Sequence, residues 1–160
     1  MKKNIAKITS AVVLATVLST SAVASEAQQF GLGVGVTGDA TTLRGTVSLD
    51  DGLRLEPYFG FSYLSPKTGN SQSDLQIGSA LHMVQAINND INAYYGGFVG
   101  IGNTDNGVSA VTTFNLGPVA GVEYKLDKQF TLGAEMRMNF GFGDDTVIGT
   151  NSSVLLRYYF

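Results

Sequence analysis

From Phe30 onward the chain alternates apolar residues with polar or small ones, in segments separated by turn residues. A period of two marks strands with one apolar face; an amphipathic helix would repeat every three to four residues. Eight strands are predicted: 30–38, 43–49, 53–64, 74–87, 91–102, 110–126, 130–142 and 152–160. In the first, Phe30, Leu32, Val34 and Val36 face one way and Gly31, Gly33, Gly35 and Thr37 the other. In the third, Leu53, Leu55, Pro57, Phe59, Phe61 and Tyr63 oppose Arg54, Glu56, Tyr58, Gly60 and Ser62. The seventh sets Phe130, Leu132, Ala134, Met136, Met138, Phe140 and Phe142 against Thr131, Gly133, Glu135, Arg137, Asn139 and Gly141. Residues 39–42 read as a turn, and Pro57 and Pro118, each deleting a ladder hydrogen bond, predict local bulges.

Two regularities extend the strand pattern into an architecture. Connections after the second, fourth and sixth strands are tight (Asp50-Asp51-Gly52, Asn88-Asn89-Asp90, Asp127-Lys128-Gln129), whereas 65–73, 103–109 and 143–151 form longer loops. Outer-membrane barrels show this asymmetry between periplasmic turns and extracellular loops. The apolar face is also nearly free of charge, and the ionic residues within strands share the opposite face. In hydrocarbon, strands satisfy every backbone group only by closing into a barrel without edges. The predicted fold is therefore an all-β, eight-stranded antiparallel up-and-down transmembrane β-barrel, with Arg44, Arg54, Glu56, His82, Glu123, Glu135, Arg137 and Arg157 forming a polar network in its lumen. Alternation alone also fits a soluble barrel of the lipocalin kind with its apolar face inward. That arrangement would leave the ionic face in water and make Leu, Phe and Met the core.

The amino-terminal residues favour the membrane. Lys2, Lys3 and Lys7 precede an apolar stretch over 8–23, and Ala22-Val23-Ala24 is an A-x-A cleavage site. Residues 1–24 are thus expected to be a cleaved signal peptide, and 25–160 the barrel domain. The 25–160 portion holds seven basic against thirteen acidic residues, a net charge of −6, which speaks against nucleic acid as a partner. There is no Cys, so neither disulfides nor thiolate metal sites are available.

Candidate chemistry is sparse, and no catalytic residue, cofactor or metal is expected. His82 is the sole histidine and points inward by phase, on the same strand face as Asp74 and Gln76; a hydrogen-bonded lumen histidine is the expectation. Glutamates and arginines on one face either line an ion path or pair into a plug, and a lumen of eight strands favours the plug. Glu135 and Arg137, adjacent on the inward face, are expected to share partners across strands. Asn103-Thr104-Asp105-Asn106-Gly107 and Asp144-Asp145 lack calcium-loop spacing and read as turns. Gly31, Gly33 and Gly35 alternate within a strand and form no nucleotide loop. The tyrosines suit interfacial belts, some filling the lumen.

The carboxyl-terminal strand carries a family signal. Val154, Leu156, Tyr158 and Phe160 alternate up to a terminal Phe, which resembles the C-terminal assembly signal of bacterial outer-membrane barrels. Gly121-Val122-Glu123-Tyr124-Lys125-Leu126, followed by Phe130-Thr131-Leu132-Gly133-Ala134-Glu135-Met136-Arg137, is similar to a hairpin of small barrels of the OmpA/OmpX/opacity-protein type. The resemblance implies a bacterial outer-membrane location and contact with outer-membrane lipid and lipopolysaccharide. It also implies delivery by the barrel-assembly machinery, a monomeric state, and a role in envelope integrity or surface interaction. It extends to the barrel alone: neither a peptidoglycan-binding domain nor long adhesive loops are expected. A narrow ion or small-solute channel is the alternative. A lipid-modifying enzyme is a weaker one, because deacylase barrels carry a His-x-Ser arrangement and this chain reads His82-Met83-Val84.

Overall fold

The computed structural model describes residues 30–37, 40–50, 52–65, 70–143 and 146–160; the expected signal peptide lies outside them. Eight strands run in chain order: β1 (Phe30–Thr37), β2 (Ala40–Asp50), β3 (Leu53–Leu64), β4 (Gln72–Ala86), β5 (Ile91–Asp105), β6 (Ala110–Lys125), β7 (Phe130–Gly143) and β8 (Val147–Tyr159). Each pairs antiparallel with the next, and β1 pairs with β8 from Gly31–Tyr159 to Val36–Val154, closing the barrel. The Phe160 amide donates to the Phe30 carbonyl at 2.9 Å, so the seam is fastened at the end that carries both termini of the barrel and the tight turns. Closure gives every ladder a neighbour and removes the free edge that an open sheet of this length would expose.

The phase of the alternation is as expected. Leu32, Val34, Leu43, Phe61, Leu81, Met83, Val99, Ile101, Leu132 and Met136 are exposed on the outside, while Arg44, Arg54, Glu56, Glu123, Glu135 and Arg157 are buried inside. No helix among the described residues is long and apolar enough to cross a membrane. Most of the strands are longer than the roughly nine to eleven residues a tilted crossing of a bilayer needs.

Four details depart from expectation. Thr41 and Thr42 belong to β2, because the ladder continues to Thr37–Ala40. The loops expected at 103–109 and 143–151 are partly strand: 103–105, 143 and 147–151 belong to ladders, with Asp105 paired to Ala110 and Val147 to Gly141. Polar Thr104, Asp105, Thr150 and Asn151 can continue a ladder beyond the apolar belt, where water satisfies their side chains. The asymmetry of the two ends therefore lies in strand overhang more than in loop length. Neither proline produces a bulge. Pro57 stays paired to Ser79 and Pro118 to Gly97, and the register of β2–β3 and β6–β7 is the same on both sides of them. A strand residue points its N–H and C=O at the same neighbour, so each proline costs one bond in one ladder and leaves the other untouched. The register shift falls instead between Ser48 and Asp50, beside a turn where Gly52 adopts φ 83°.

Turn chemistry repeats at both ends. Asn88 Oδ1 accepts from the Asp90 and Ile91 amides, and Asp127 Oδ1 from the Gln129 and Phe130 amides. Asn106 Oδ1 does the same for Val108 and Ser109 in the loop once considered for calcium. The Phe130 and Gln129 amides hold the Asp127 carboxyl below the ordinary aspartate range. A group lowered on folding stabilises the fold above its unfolded pKa and loses that contribution as pH falls through the folded one. A carboxyl-carbon titration should thus place Asp127 below a model aspartate. Asp127→Asn, which keeps the acceptor oxygen, should remove this acid dependence without opening the turn. A midpoint at the ordinary value would mean that the turn is not capped.

Candidate functional site

The lumen is filled by one chain of alternating charges. Arg137 Nε donates to Glu135 Oε1 at 2.6 Å, and Arg44 Nη1 donates to the same oxygen at 2.9 Å and to Glu56 Oε1 at 2.8 Å. Arg157 Nε and Nη2 each lie 2.9 Å from Glu56 Oε2, and its Nη1 reaches Glu123 Oε2 at 3.2 Å. Arg54 Nη1 ends the chain, 2.9 Å from Glu123 Oε2 and 3.1 Å from the Tyr159 hydroxyl. The sequence Arg137–Glu135–Arg44–Glu56–Arg157–Glu123–Arg54 thus crosses the interior from β7 to β3 and ties together β2, β3, β6, β7 and β8. Such pairs compensate their desolvation only when hydrogen bonded as completely as these carboxylates are.

Every residue proposed for the network from the sequence is in the lumen; Glu135 and Arg137, expected to share partners across strands, instead bond to each other, and of the two only Glu135 is met by Arg44 from β2. His82 is the correction. It is fully buried, but neither ring nitrogen has a hydrogen-bond partner among the described residues, and its neighbour is the Tyr94 ring at 4.9 Å. Asp74 lies elsewhere, accepting from Gln76 and Thr104. The arginines take the carboxylate oxygens, and the imidazole is left among them without one. The ligand atoms of Glu56, His82 and Glu135 lie within 4.8 Å of one another, a spacing that could hold a cation. Both oxygens of Glu56 are engaged by arginine, and those of Glu135 by Arg44, Arg137 and the Tyr94 hydroxyl. A metal would have to displace guanidinium groups from the lowest-dielectric part of the protein, so the trio fits a structural role better.

Residues with weaker sequence signals complete the site. Tyr94 donates to Glu135 Oε2 at 3.1 Å, and Asn92 Nδ2 to Glu123 Oε1 at 3.2 Å. Arg54 sits 4.6 Å from the Tyr94 ring centroid, and Arg137 4.7 Å from that of Tyr58. Tyr58, Tyr94 and Tyr159 therefore face the lumen, while Tyr63, Tyr95 and Tyr124 are exposed outside. Phase was the available signal, since Tyr58 follows Arg54 and Glu56 at alternate positions.

Glycine makes room for these side chains. On β1 a Cβ at Gly33 would sit 3.0 Å from Arg157 Cγ, and one at Gly35 2.7 Å from Leu155 Cδ2. The alternating glycines of β1 are the wall against which the β8 side chains lie. A Cβ on Gly121 would overlap the Tyr94 ring and approach the Ala134 carbonyl. Gly121→Ala should accordingly displace Tyr94 from Glu135 and destabilise the barrel by about 1–3 kcal/mol. Gly149→Ala, with nothing within 4 Å, should be near neutral. Urea midpoints of the two variants in lipid vesicles check this, and equal midpoints would refute it.

The fold has solved counterparts. Neisserial surface protein A superposes with a TM-score of 0.62 at 16% identity, covering 83% of this chain and 94% of that one. The Yersinia pestis outer membrane protein Ail gives 0.52 at 15% identity, covering 83% and 98%. The N-terminal β-barrel domain of Pseudomonas aeruginosa OprF gives 0.51 at 14%, covering 83% and 96%. No protein-family model matches the chain, and the comparison with curated proteins gives no match. The chain has the fold of small eight-stranded outer-membrane barrels.

Proposed function

We propose that this protein resides in the bacterial outer membrane as a sealed barrel with a structural or surface-interaction role, and neither conducts solutes nor catalyses a reaction. The observation that carries the reading is the continuous arginine–glutamate chain across the lumen, set inside a wall whose outer face is apolar. An ion entering from either end meets carboxylates already bound to guanidinium groups, and passage requires breaking several buried pairs. Exposed Leu, Ile, Val, Phe and Met on the exterior suit acyl chains and would be a liability in water. Lipid and lipopolysaccharide are the expected surroundings. The terminal strand, with Val154, Leu156 and Phe160 exposed outward and Tyr158 against Phe130 and Phe160, suits delivery by the barrel-assembly machinery.

Catalysis has little support at His82, because an acyl ester in the lipid phase cannot reach a ring with no exposed surface. Planar-bilayer recording of the refolded protein tests the main claim. Bilayers containing barrels that shift electrophoretic mobility on heating should remain silent. Regular conductance steps from the same preparation would establish the channel reading in its place.

A further inference from the structure

The charge chain begins and ends on arginine, so four guanidinium groups face three carboxylates. A buried cation without a counter-charge is unfavourable, and the surplus should lie where an anion can reach it. Arg54 is one end of that chain. It is 3% exposed, uses Nη1 for Glu123 and Tyr159, and leaves Nε and Nη2 without a partner. Those two nitrogens form one edge of the guanidinium fork, the edge whose Nε in Arg157 donates to Glu56 in the same lumen. Arg54 lines a cavity of about 770 Å³ at the end of the barrel where the tight turns lie. The Thr131 hydroxyl, on a residue 5% exposed, lines the same cavity and is also unpartnered. Lys125 and Lys128 add positive charge to the lining. Of the acidic groups among the described residues of its lining, Glu123 is held by Arg54 and Arg157 and Asp127 by its own turn amides, leaving Asp90.

We propose that this cavity binds a small soluble oxyanion, a phosphate or carboxylate, on the Nε–Nη2 edge of Arg54 with the Thr131 hydroxyl as a second donor. The anion completes the alternating chain as its eighth member. The lining of lysines, Asn92 and Ser48 favours an ion from solution over a lipid headgroup, whose acyl chains would have to leave the apolar exterior.

The test uses the refolded barrel in non-ionic, phosphate-free detergent, titrated with inorganic phosphate and followed by the Arg54 Nε–H and Asn92 side-chain amide resonances. A saturable shift is expected, absent in sodium chloride of equal ionic strength. Thr131→Val should weaken it about fivefold through loss of one hydrogen bond, and Arg54→Gln should abolish the Asn92 response. Removing Arg54 leaves three arginines against three glutamates, so this variant should still fold; heat-dependent mobility checks that, and Thr131→Val decides alone if it does not. The absence of a saturable shift, an equal shift with chloride, unchanged affinity in Thr131→Val, or a response to added phospholipid only would each overturn the proposal.

Discussion

Replacing Glu56 with Leu should destabilise the barrel by about 3–5 kcal/mol, the expected penalty for leaving a buried charge without its partner. Glu56 has no exposed surface and accepts from Arg44 at one oxygen and from Arg157 at the other. Leu has a similar volume, so a void contributes little. The loss comes from two guanidinium groups whose shared counter-charge has gone, leaving four cations against two anions. Glu56→Gln keeps an acceptor oxygen and should lose less. Arg137→Gln should also lose less, because Arg137 ends the chain and its side chain is 12% exposed. Urea unfolding of the refolded proteins in lipid vesicles gives the ranking. A Glu56→Leu midpoint indistinguishable from that of the parent would show that the lumen charges are not coupled as their distances indicate. The prediction concerns breaking the network; an interior redesigned throughout with apolar residues could be equally stable.

The second large effect lies on the opposite face of the wall. Met136→Arg should cost about 2–4 kcal/mol in a bilayer, and Ile148→Arg about 0–1 kcal/mol, because the penalty for a lipid-facing charge falls from the midplane to the interface. Met136 is central in β7 and 61% exposed; Ile148 is 66% exposed but second in β8, near the overhanging rim. Their exposure is nearly equal, so in a water-soluble barrel both substitutions would be near neutral. A large difference between the variants in vesicles therefore reports membrane depth rather than packing. Equal, small effects would remove the basis for placing this face against lipid.

How much of this was legible beforehand depends on the physical signal available. That Arg44, Arg54, Glu56, Glu123, Glu135, Arg137 and Arg157 lie on the face opposite the apolar residues follows from alternation, because a pleated strand gives each residue no choice of face once its neighbour is assigned; that this face is the inner one is shown by their burial. The partners within the lumen do not follow. Arg54 on β3 reaches Glu123 on β6, and Arg157 on β8 reaches Glu56 on β3, contacts that exist only because the sheet curls shut. Alternation also puts His82 on the lumen face, but the hydrogen bonds expected of it are absent among the described residues, since its neighbours' competing pairings are set across the barrel.

Strand ends were hardest to read, for a related reason. Residues 147–151 look like loop because their apolar period fades, yet the ladder to β7 continues through them. Backbone pairing beyond the membrane needs no apolar side chains, so hydropathy marks the belt and not the strand. The expected bulges at Pro57 and Pro118 failed similarly: a lost donor is a local fact, whereas register is held by the many intact pairs on either side.

Sequence alone, then, determined which residues share a face of each strand, because side-chain direction in a strand is a local property with a period of two. Only the closed tertiary structure decided that seven inward charges form a single chain, that the β1 glycines give it room, and that Arg54 keeps one edge unmatched. Those facts depend on distances across a lumen, which exist only once β1 meets β8.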